Sequence, residues 1–370
     1  MKLLDIEITN FRNINYLNFS PTHNINIISG ENGQGKTNLL EAIWLLTGSK
    51  SFRTNKDFEL INKNNNKSYI KANVEINKEI KLIELFIEKN INTNKITRIA
   101  KVNGIEYNNA KNIAGLFNCV IFYPDNLSFV KGSADVRRKF IDASLCQIYP
   151  NYLNSFIKYK KLLLQKNSLL KNIKNNIYIE NYNCLLDVLD EQISEYILEI
   201  MNKRAFFIDN IYDDTIDNYN KLSNNREKIS IKYKKSIYYN NKKEIYDFLI
   251  NNRKKDIKLG YSSYGPHKDD LEILINKEQA KIYASQGQQR SIVIALKIAE
   301  ASLIKNITNK TPILLFDDVL SELDINRQDF LLDKIKGKQV IITNCDYDIF
   351  EKTNGLVFEM INGKGNIVKV

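Results

Sequence analysis

A glycine-rich loop between an apolar strand and an apolar helix is the feature that most constrains this chain. Residues 24–29 alternate apolar and polar side chains as a strand does, and residues 37–47 have the apolar content of a helix. The loop reads Gly30, Glu31, Asn32, Gly33, Gln34, Gly35, Lys36, Thr37. It matches the pattern G-x-x-x-x-G-K-[ST] in the context that this pattern requires, between a strand and a helix.

This loop predicts a binding site for a nucleoside triphosphate. Its glycines let the backbone curl so that successive N–H groups face phosphate oxygens, and the helix dipole adds to the attraction. Lys36 is placed to reach the β and γ phosphates, and the Thr37 hydroxyl is placed to ligate Mg²⁺. The pattern by itself indicates nothing finer than a nucleoside triphosphate.

A distant segment predicts the second half of the same site. Residues 311–316 form an apolar strand that begins at a Thr-Pro pair, and the strand ends in Asp317 and Asp318. Asp317 is placed to hold Mg²⁺ through water, and Asp318 to orient or deprotonate an attacking water. Because Lys36 and Asp317 lie far apart in the sequence, the intervening chain must leave the core and return.

A second anion-binding segment precedes that strand. Residues 284–290 read Ala-Ser-Gln-Gly-Gln-Gln-Arg, and an apolar helix follows over 291–304. At a helix N-terminus this signature segment attracts anions, through Ser285, Gly287 and Gln288. It cannot easily serve the nucleotide of its own chain, but in a two-fold dimer it would close on the γ-phosphate of the other copy. The acidic turn at residues 319–324 suits the same dimer contact.

The charge distribution favours a polyanionic partner. The net charge is +11, and residues 131–260 carry more than their share of it. Nucleic acid is the default partner of such a protein, but lysine-biased drift of a solvated surface explains the charge equally well. Four scattered cysteines indicate neither a zinc site nor a disulfide frame and fit a reducing cytoplasm. The amphipathic N-terminus and the short apolar run at 39–46 are unlike a signal peptide or a membrane span.

Patterning along the chain predicts an α/β fold with an insertion. Strand-like runs occupy residues 2–9, 68–76, 80–87, 98–102 and 119–122. Helical periodicity then dominates, over 151–173 and 184–207. Strands and helices alternate again after Gly260. We therefore predict an α/β head formed by residues 1–130 and 256–370, with a mostly helical arm at 131–255 between its two parts.

The order of these segments resembles the ATP-binding-cassette superfamily. The DNA-repair heads match better than the transporters, because further segments are similar to the RecF family of bacterial recombination mediators. These segments are NFRN at 10–13, SFRT at 51–54, FYPDNL at 122–127, VKGS at 130–133, RRKFID at 137–142, QKNSLLK at 165–171 and GPHKDDL at 265–271. They extend over essentially the whole chain. The resemblance implies an ABC-type P-loop ATPase head with an inserted, mostly helical arm.

The RecF resemblance implies a weak ATPase that dimerises with ATP and Mg²⁺. It also implies binding of single- and double-stranded DNA at gaps, and loading of RecA together with RecO and RecR. Arg12 and Asn13 would lie near the nucleotide, beside the loop and the adjoining Asn38, and Arg53 resembles an arginine loop that couples such heads to DNA. A basic triplet offers further candidate DNA contacts, for which a solvated helix face is the alternative interpretation. Its residues are Arg137, Arg138 and Lys139.

Departures from the family pattern predict slow turnover. The catalytic acid is Asp318 where the transporters usually have Glu, and only Thr343 or Asn344 stands where many cassette proteins have a switch histidine. No glutamine loop is identifiable near residues 123–127. His267 lies in a Gly-Pro turn, and we interpret it as structural.

Three other classes of protein share part of this pattern. The nucleotide-binding subunit of a transporter shares the core motifs, but it normally has the switch histidine and a compact insert, and the basic arm argues against it. A chromosome-architecture protein of the SMC type needs hundreds of heptad residues, which this chain does not have. A nucleotide-stabilised scaffold without hydrolysis is disfavoured by the intact set of Lys36, Thr37, Asp317 and Asp318.

Overall fold

A computed structural model describes residues 1–90, 92–93, 95–124, 128–343 and 355–369. The strands are β1 (Lys2–Phe11), β2 (Ile14–Phe19), β3 (Ile25–Ser29), β4 (Lys67–Ile76), β5 (Glu79–Lys89), β6 (Ile96–Val102), β7 (Ile105–Tyr107), β8 (Cys119–Phe122), β9 (Ile229–Lys234), β10 (Asp270–Ile275), β11 (Glu278–Gln279), β12 (Ile313–Asp317), β13 (Val340–Thr343), β14 (Leu356–Ile361) and β15 (Lys364–Lys369). The helices are α1 (Lys36–Leu45), α2 (Ser128–Lys131), α3 (Ala134–Ile148), α4 (Pro150–Lys174), α5 (Tyr182–Leu222), α6 (Lys242–Leu259), α7 (Ala280–Tyr283), α8 (Gln286–Thr308) and α9 (Ile325–Ile335).

The central sheet carries the phosphate loop. Its strand order is β15-β14-β3-β13-β12-β8, and every neighbouring pair except β14–β15 is parallel. Successive residues face opposite sides, so Ile27 and Leu314 join one apolar cluster while Ile28 and Leu315 join another. A parallel sheet buried on both faces requires such unbroken apolar strands. The carboxyl ends of β3 and β12 lie at the same edge, which brings the loop next to Asp317.

A second, antiparallel sheet covers one face of the central sheet. Its strand order is β2-β1-β4-β5-β6-β7. Helix α1 lies between the two sheets, where Leu39 and Ile43 pack with the inward residues Ile6, Ile8 and Ile70. The strands predicted at 2–9, 68–76, 80–87, 98–102 and 119–122 are confirmed, and so is the α/β fold class.

The opposite face of the central sheet is covered by α8 and the helices of the insertion. Helix α4 agrees with the helix predicted over 151–173, but α5 continues far beyond the predicted end at 207, to Leu222. At 1.5 Å per residue α5 is about 60 Å long. Its last turns stay buried through Ile211 and Tyr219, which pack against the core that contains α8. The predicted length was wrong because the polar residues Asp213 and Asp214 conceal this periodicity.

The arm and the head share one hydrophobic core. Leu145 of α3, Ile200 of α5 and Ile292 of α8 belong to the same buried cluster as Leu314 of the central sheet. A small antiparallel sheet, β11-β10-β9, joins this cluster through Ile231 and Ile273. The division into a head at 1–130 and 256–370 and an arm at 131–255 therefore stays a prediction based on sequence pattern.

Within the described part of the chain, no helix is both long and apolar enough to span a membrane. The same residues contain no group of three His, Cys, Asp or Glu side chains that could hold a metal ion. Cys119, Cys146 and Cys184 are free thiols, and Cys345 lies outside the described residues.

Candidate nucleotide-binding site

The phosphate loop adopts a backbone that two of its glycines make possible. Gly30 has a φ of 136° and Gly35 a φ of 108°, values that L side chains rarely adopt. The carbonyl oxygen of Met360 would lie 2.4 Å from a Cβ on Gly30, so no larger residue fits there. Strand β14 can therefore approach the loop closely.

The side chain of Lys36 lies within the curl of this loop. It is only 4% exposed, and its Nζ donates to the carbonyl of Gly30 at 2.5 Å and to that of Glu31 at 3.3 Å. A compact ammonium held over backbone carbonyls can exchange them for phosphate oxygens, which bind a cation more strongly. The structure therefore places Lys36 inside the loop, and its contact with the β and γ phosphates stays a prediction.

Two hydroxyls and two carboxylates meet where β12 and β13 end. Thr37 Oγ1 donates to Asp317 Oδ1 at 2.7 Å, and Thr343 Oγ1 lies 3.0 Å from the same oxygen. The N–H of Asp318 donates to Thr343 Oγ1 at 2.9 Å, with Asp318 at a φ of 51°. Burial raises the pKa of Asp317, while the hydrogen bonds from Thr37 and Thr343 and the positive charge of Arg53 oppose this shift.

The arrangement has the oxygen ligands that Mg²⁺ prefers. Mg²⁺ is bound in phosphate sites by one or two protein oxygens together with water and substrate phosphates. The Thr37 hydroxyl and the Asp317 carboxylate, 2.7 Å apart at the mouth of the loop, fit that requirement. Thr343, the last residue of β13, stands at the position that a switch histidine would take. Asn344 lies outside the described residues.

The turn between β1 and β2 holds the loop from one side. Asn13 Nδ2 donates to the carbonyl of Gly33 at 2.8 Å, and Asn38 Nδ2 donates to Asn13 Oδ1 at 2.6 Å. The structure thus places Asn13 beside the phosphate loop, and its position near a bound nucleotide stays a prediction. The β14–β15 turn lies on another side, where the N–H of Gly363 donates to the carbonyl of Gln34 at 3.0 Å.

A buried carboxylate that sequence reasoning missed organises Arg12 and Arg53. Glu41 of α1 is fully buried, and it accepts from Arg12 Nε at 2.5 Å and from Arg12 NH2 at 2.7 Å. Ser51 donates to it as well, and Arg53 NH1 lies 3.5 Å from Glu41 Oε2 and donates to Asn38 at 2.7 Å. The signal in the sequence was one acid inside an apolar helix, one turn after Thr37. Both arginine motifs therefore converge beneath the start of α1, and the side chain of Arg53 keeps 41% exposure.

The signature segment lies on the other face of the central sheet. Ser285 caps α8 by accepting from the N–H of Gln288 at 3.2 Å, and the Gln288 side chain accepts from the N–H of Ser285 at 2.7 Å. Gln288 Nε2 donates to Glu227, which follows α5, at 2.8 Å. The structure does not gather these residues around the phosphate loop, since their neighbours come from the end of α5 and from α9.

An open polar cleft of about 280 Å³ begins at this cap. Besides Ser285 and Gln288, its walls come from the end of α5 and the start of α9. Large apolar side chains are exposed around it, with Tyr283 and Ile325 each 66% exposed. Exposed apolar residues beside an open polar cleft mark a surface that a partner can cover.

Arg137 was wrongly grouped with exposed cations. Its side chain is 4% exposed, and its Nε and NH2 bind the two oxygens of Asp270 at 2.6 and 3.0 Å. Its NH1 donates to the carbonyls of Phe129, Val130 and Gly132. A guanidinium so buried and so fully bonded holds α3 to β10 and is not accessible to a phosphate backbone.

The other two cations of the triplet differ from Arg137. Arg138 is mostly buried and donates to the carbonyl of Asp269 at 2.7 Å. Lys139 is 63% exposed, and its only described ionic partner is the exposed Asp135, at 2.8 Å. DNA contact stays a prediction for Lys139 and for Arg53, and the geometry favours it less for Arg138.

His267 has the surroundings of a structural residue. Its Nε2 lies 3.0 Å from the carbonyl of Ser262 and its Nδ1 lies 2.6 Å from the Tyr159 hydroxyl, so a neutral ring donates to the first and accepts from the second. Burial lowers the pKa of His267 to about 4, which keeps the ring neutral near pH 7. The neighbouring Asp269 accepts from the N–H of Ser236 at 2.7 Å, so the GPHKDDL segment joins the arm to the small sheet.

The sequence matches a known protein family along nearly its whole length. Residues 2–365 match the model of the RecF/RecN/SMC N terminal domain. A DNA replication and repair protein RecF of Clostridium botulinum (strain Okra / Type B1) is 40% identical over 356 residues, which cover 95% of this chain and 94% of that relative.

Solved structures agree with that match. The structure of the recombination mediator protein RecF-ATP in the RecFOR pathway has a TM-score of 0.89 and 33% identity, and the match covers 99% of this chain and 97% of the other. An Smc head domain derived from Pyrococcus furiosus shares the fold at a TM-score of 0.56 and 16% identity, over 100% of this chain and 96% of that one. The chain is a member of the RecF family and has the ABC-ATPase head fold of RecF and SMC proteins.

Proposed function

We propose that this chain is an ATP-driven dimerisation switch that controls binding to DNA during replication and repair. One observation carries the proposal: a prearranged phosphate loop on one face of the central sheet and a capped, open signature segment on the other. Two copies related by a two-fold axis would each present what the other lacks. The names of the relatives, a DNA replication and repair protein and a RecF-ATP structure, support the same assignment.

In the proposed complex, the loop N–H groups and Lys36 hold the triphosphate, and Arg12 and Asn13 support the loop from below. Thr37 and Asp317 hold Mg²⁺, which neutralises charge on the phosphates when bound. Asp318 orients the attacking water at the mouth of the site. Ser285, Gly287 and Gln288 contact the γ-phosphate bound by the other copy.

We propose slow hydrolysis on the basis of two residues. The side chain of Asp318 is one methylene shorter than the usual glutamate, so its carboxylate lies farther from a water aligned with the γ-phosphate. Thr343, at the end of the next strand, has a hydroxyl that is already occupied by Asp317 and by the N–H of Asp318. Slow hydrolysis would keep the dimer closed, and so would set how long it stays bound to DNA.

The DNA-related part of the proposal rests on family and charge. Single- and double-stranded DNA at gaps would meet Arg53 and Lys139, and RecO and RecR would join the chain to load RecA in the cytoplasm of the cell. Contacts to phosphates need only reachable cations and make binding strongly dependent on salt. The net charge of +11 favours that attraction.

Sedimentation velocity tests the proposal. The protein is examined without nucleotide, with ADP and with ATP plus Mg²⁺, each with and without a gapped duplex. We expect a dimer only with ATP, tighter DNA binding by that dimer, and a steep loss of binding with added salt. A monomer in every condition would contradict the dimerisation switch. It would be compatible only with a nucleotide site within the single chain.

A further inference from the structure

We infer that Arg327 is a positioning residue that joins the acidic turn (residues 319–324) to the signature segment, so that both meet a second copy of the chain as one rigid surface. The inference rests on the proposed ATP-driven dimer and adds to it a residue that belongs to none of the recognised motifs. Arg327 lies in the first turn of α9, directly after the acidic turn.

The guanidinium of Arg327 bridges two elements. Its Nε donates to Ser291 Oγ of α8 at 2.9 Å, and its NH1 forms an ion pair with Asp324, the last residue of the acidic turn. The Asp324 side chain in turn caps α9 by accepting from the N–H of Arg327 at 3.0 Å. One planar cation thus fixes the end of the turn relative to the signature helix α8.

The packing of Gly287 shows how closely this cation approaches the signature segment. A Cβ on Gly287 would lie 3.2 Å from Arg327 NH2 and 3.7 Å from its Cζ. The glycine therefore leaves room for the guanidinium beneath the segment, in addition to any role that it has toward a nucleotide. A side chain at 287 would require the guanidinium of Arg327 to shift by a few tenths of an ångström.

Two further contacts support the same junction. Arg290 NH2 of α8 lies 3.3 Å from Glu322 of the acidic turn. Gln328 Nε2 donates to the carbonyls of Leu320 and Leu323 at 2.8 and 3.1 Å. The turn is consequently bonded to α8 through Glu322 and Asp324 and to α9 through its backbone carbonyls.

The charge of Arg327 matters for an incoming triphosphate. Asp324 lines the same cleft as Ser285, and its side chain is 48% exposed. An unpaired carboxylate at this place would repel the γ-phosphate of the other copy, so Arg327 both positions and neutralises it. A surface fixed before docking loses less conformational freedom when the dimer forms.

The experiment compares Arg327→Gln with the matched control Lys336→Gln in the full-length chain. Lys336 makes an i,i+3 pair with Asp333 at 2.9 Å near the end of α9, so the control removes an ion pair of the same spacing from a more exposed place on the same helix. We measure binding of a fluorescent ATP analogue at concentrations where the protein is monomeric, melting temperature, and the ATP-dependent dimer constant by sedimentation.

We expect Arg327→Gln to weaken the ATP-dependent dimer by about tenfold or more, since charge-assisted hydrogen bonds are lost. Nucleotide binding by the monomer should stay at the level of the control, because Arg327 lies away from the phosphate loop of its own chain. The melting temperature should stay close to that of the control, because the Asp324 side chain is 48% exposed and pairs with an exposed member contribute little to stability. Adding Asp324→Asn to Arg327→Gln should restore part of the dimer by removing the repulsive charge.

Two results would overturn the inference. The first is normal dimerisation of Arg327→Gln. The second is a weaker dimer accompanied by comparable losses of monomer nucleotide binding and of melting temperature, which would mean that Arg327 has a merely structural role. Ser285→Arg is measured in parallel to separate this from failure of the proposed function. If Ser285→Arg also dimerises normally, the trans arrangement itself is wrong. If Ser285→Arg stays monomeric while Arg327→Gln dimerises, only the role of Arg327 is lost.

Discussion

The phosphate-loop side and the signature side of this chain use the same central sheet but differ in how far their polar groups are exposed to solvent. On the phosphate-loop side, Lys36 is 4% exposed and Glu41 is fully buried, and both have partners. On the signature side, Ser285 borders an open cleft of about 280 Å³. Both sides are therefore prearranged within one copy, but the signature side stays open to solvent, and we propose that a second copy covers it.

The largest expected effect tests whether the phosphate-loop side works alone. Lys36→Met should weaken ATP binding by about 10- to 150-fold, because hydrogen bonds to a charged group are worth about 1.5–3 kcal/mol. Calorimetric titration of the monomer measures it. Lys310→Met is the control, since Lys310 Nζ also donates to a backbone carbonyl, that of Gly115 at 3.0 Å, but away from the loop. Equal affinities for the two variants would contradict the assignment of Lys36.

A second prediction concerns the buried centre of the phosphate-loop side. Glu41→Gln keeps the shape of the side chain but leaves Arg12 without its anion, so the free energy of unfolding should fall by about 2 kcal/mol. Urea unfolding measures this. Glu59→Gln, whose carboxylate forms an exposed pair with Lys56 at 3.8 Å, should change it by less than about 1 kcal/mol. Equal effects of the two substitutions would mean that the buried cluster contributes no more than a surface pair.

A third prediction uses the pKa of Asp317, which burial raises above its ordinary value of 3.8. A raised pKa means that the charged form is disfavoured in the folded state, so the cost is full above the folded pKa and disappears below 3.8. Asp317→Asn should therefore raise the melting temperature of the nucleotide-free protein by roughly 1–2 °C at pH 7, and the gain should shrink as the pH falls.

Asp333→Asn is the control for that measurement. The hydrogen bond with Lys336 lowers the pKa of Asp333, so its charged form is favoured in the folded state. Stability from this group is present above pH 3.8 and is lost as the pH falls through the folded pKa, and the control should never raise the melting temperature. A pH-independent gain for Asp317→Asn would show that burial of its charge is not the cause.

The smallest expected effect concerns DNA binding by the basic triplet, whose three residues have different surroundings. Lys139→Ala should lower the slope of log affinity for DNA against log salt by about 1, because one phosphate contact is lost. Lys67→Ala, which breaks a similarly exposed pair with Glu88 at 3.1 Å, should leave the slope unchanged. Arg137→Lys should lower stability without changing the slope. A reduced slope for Arg137→Lys at unchanged stability would reverse our interpretation of the triplet.

Local pattern was enough to predict the strands and the helix of the phosphate-loop side. The strand, loop and helix around Lys36 are continuous in sequence. The acids at 317 and 318 follow an apolar strand, so in a parallel sheet they must lie at the edge where the carboxyl ends of the strands meet. Glu41 and Arg327 escaped prediction because their partners, Arg53 and Ser291 among them, are brought near only by folding.

The basic triplet shows a second limit of sequence reasoning. Three successive residues of a helix point in directions about 100° apart, so a run of charges cannot share one environment. Arg137 faces Asp270 in the core while Lys139 faces solvent. The length of α5 was missed for a related reason, since its buried positions, such as Ile211 and Tyr219, are separated by acids on the exposed face.

A complementation experiment tests the central claim most directly. Lys36→Met and Ser285→Arg are each expected to be monomeric and inactive with ATP and Mg²⁺. In an equimolar mixture, the phosphate loop of the Ser285→Arg chain can meet the intact signature segment of the Lys36→Met chain, so one composite site per mixed dimer is restored. We predict ATP-dependent mixed dimers by sedimentation and a partial return of ATP hydrolysis. A mixture as monomeric and inactive as its two components would contradict a nucleotide site shared between two copies.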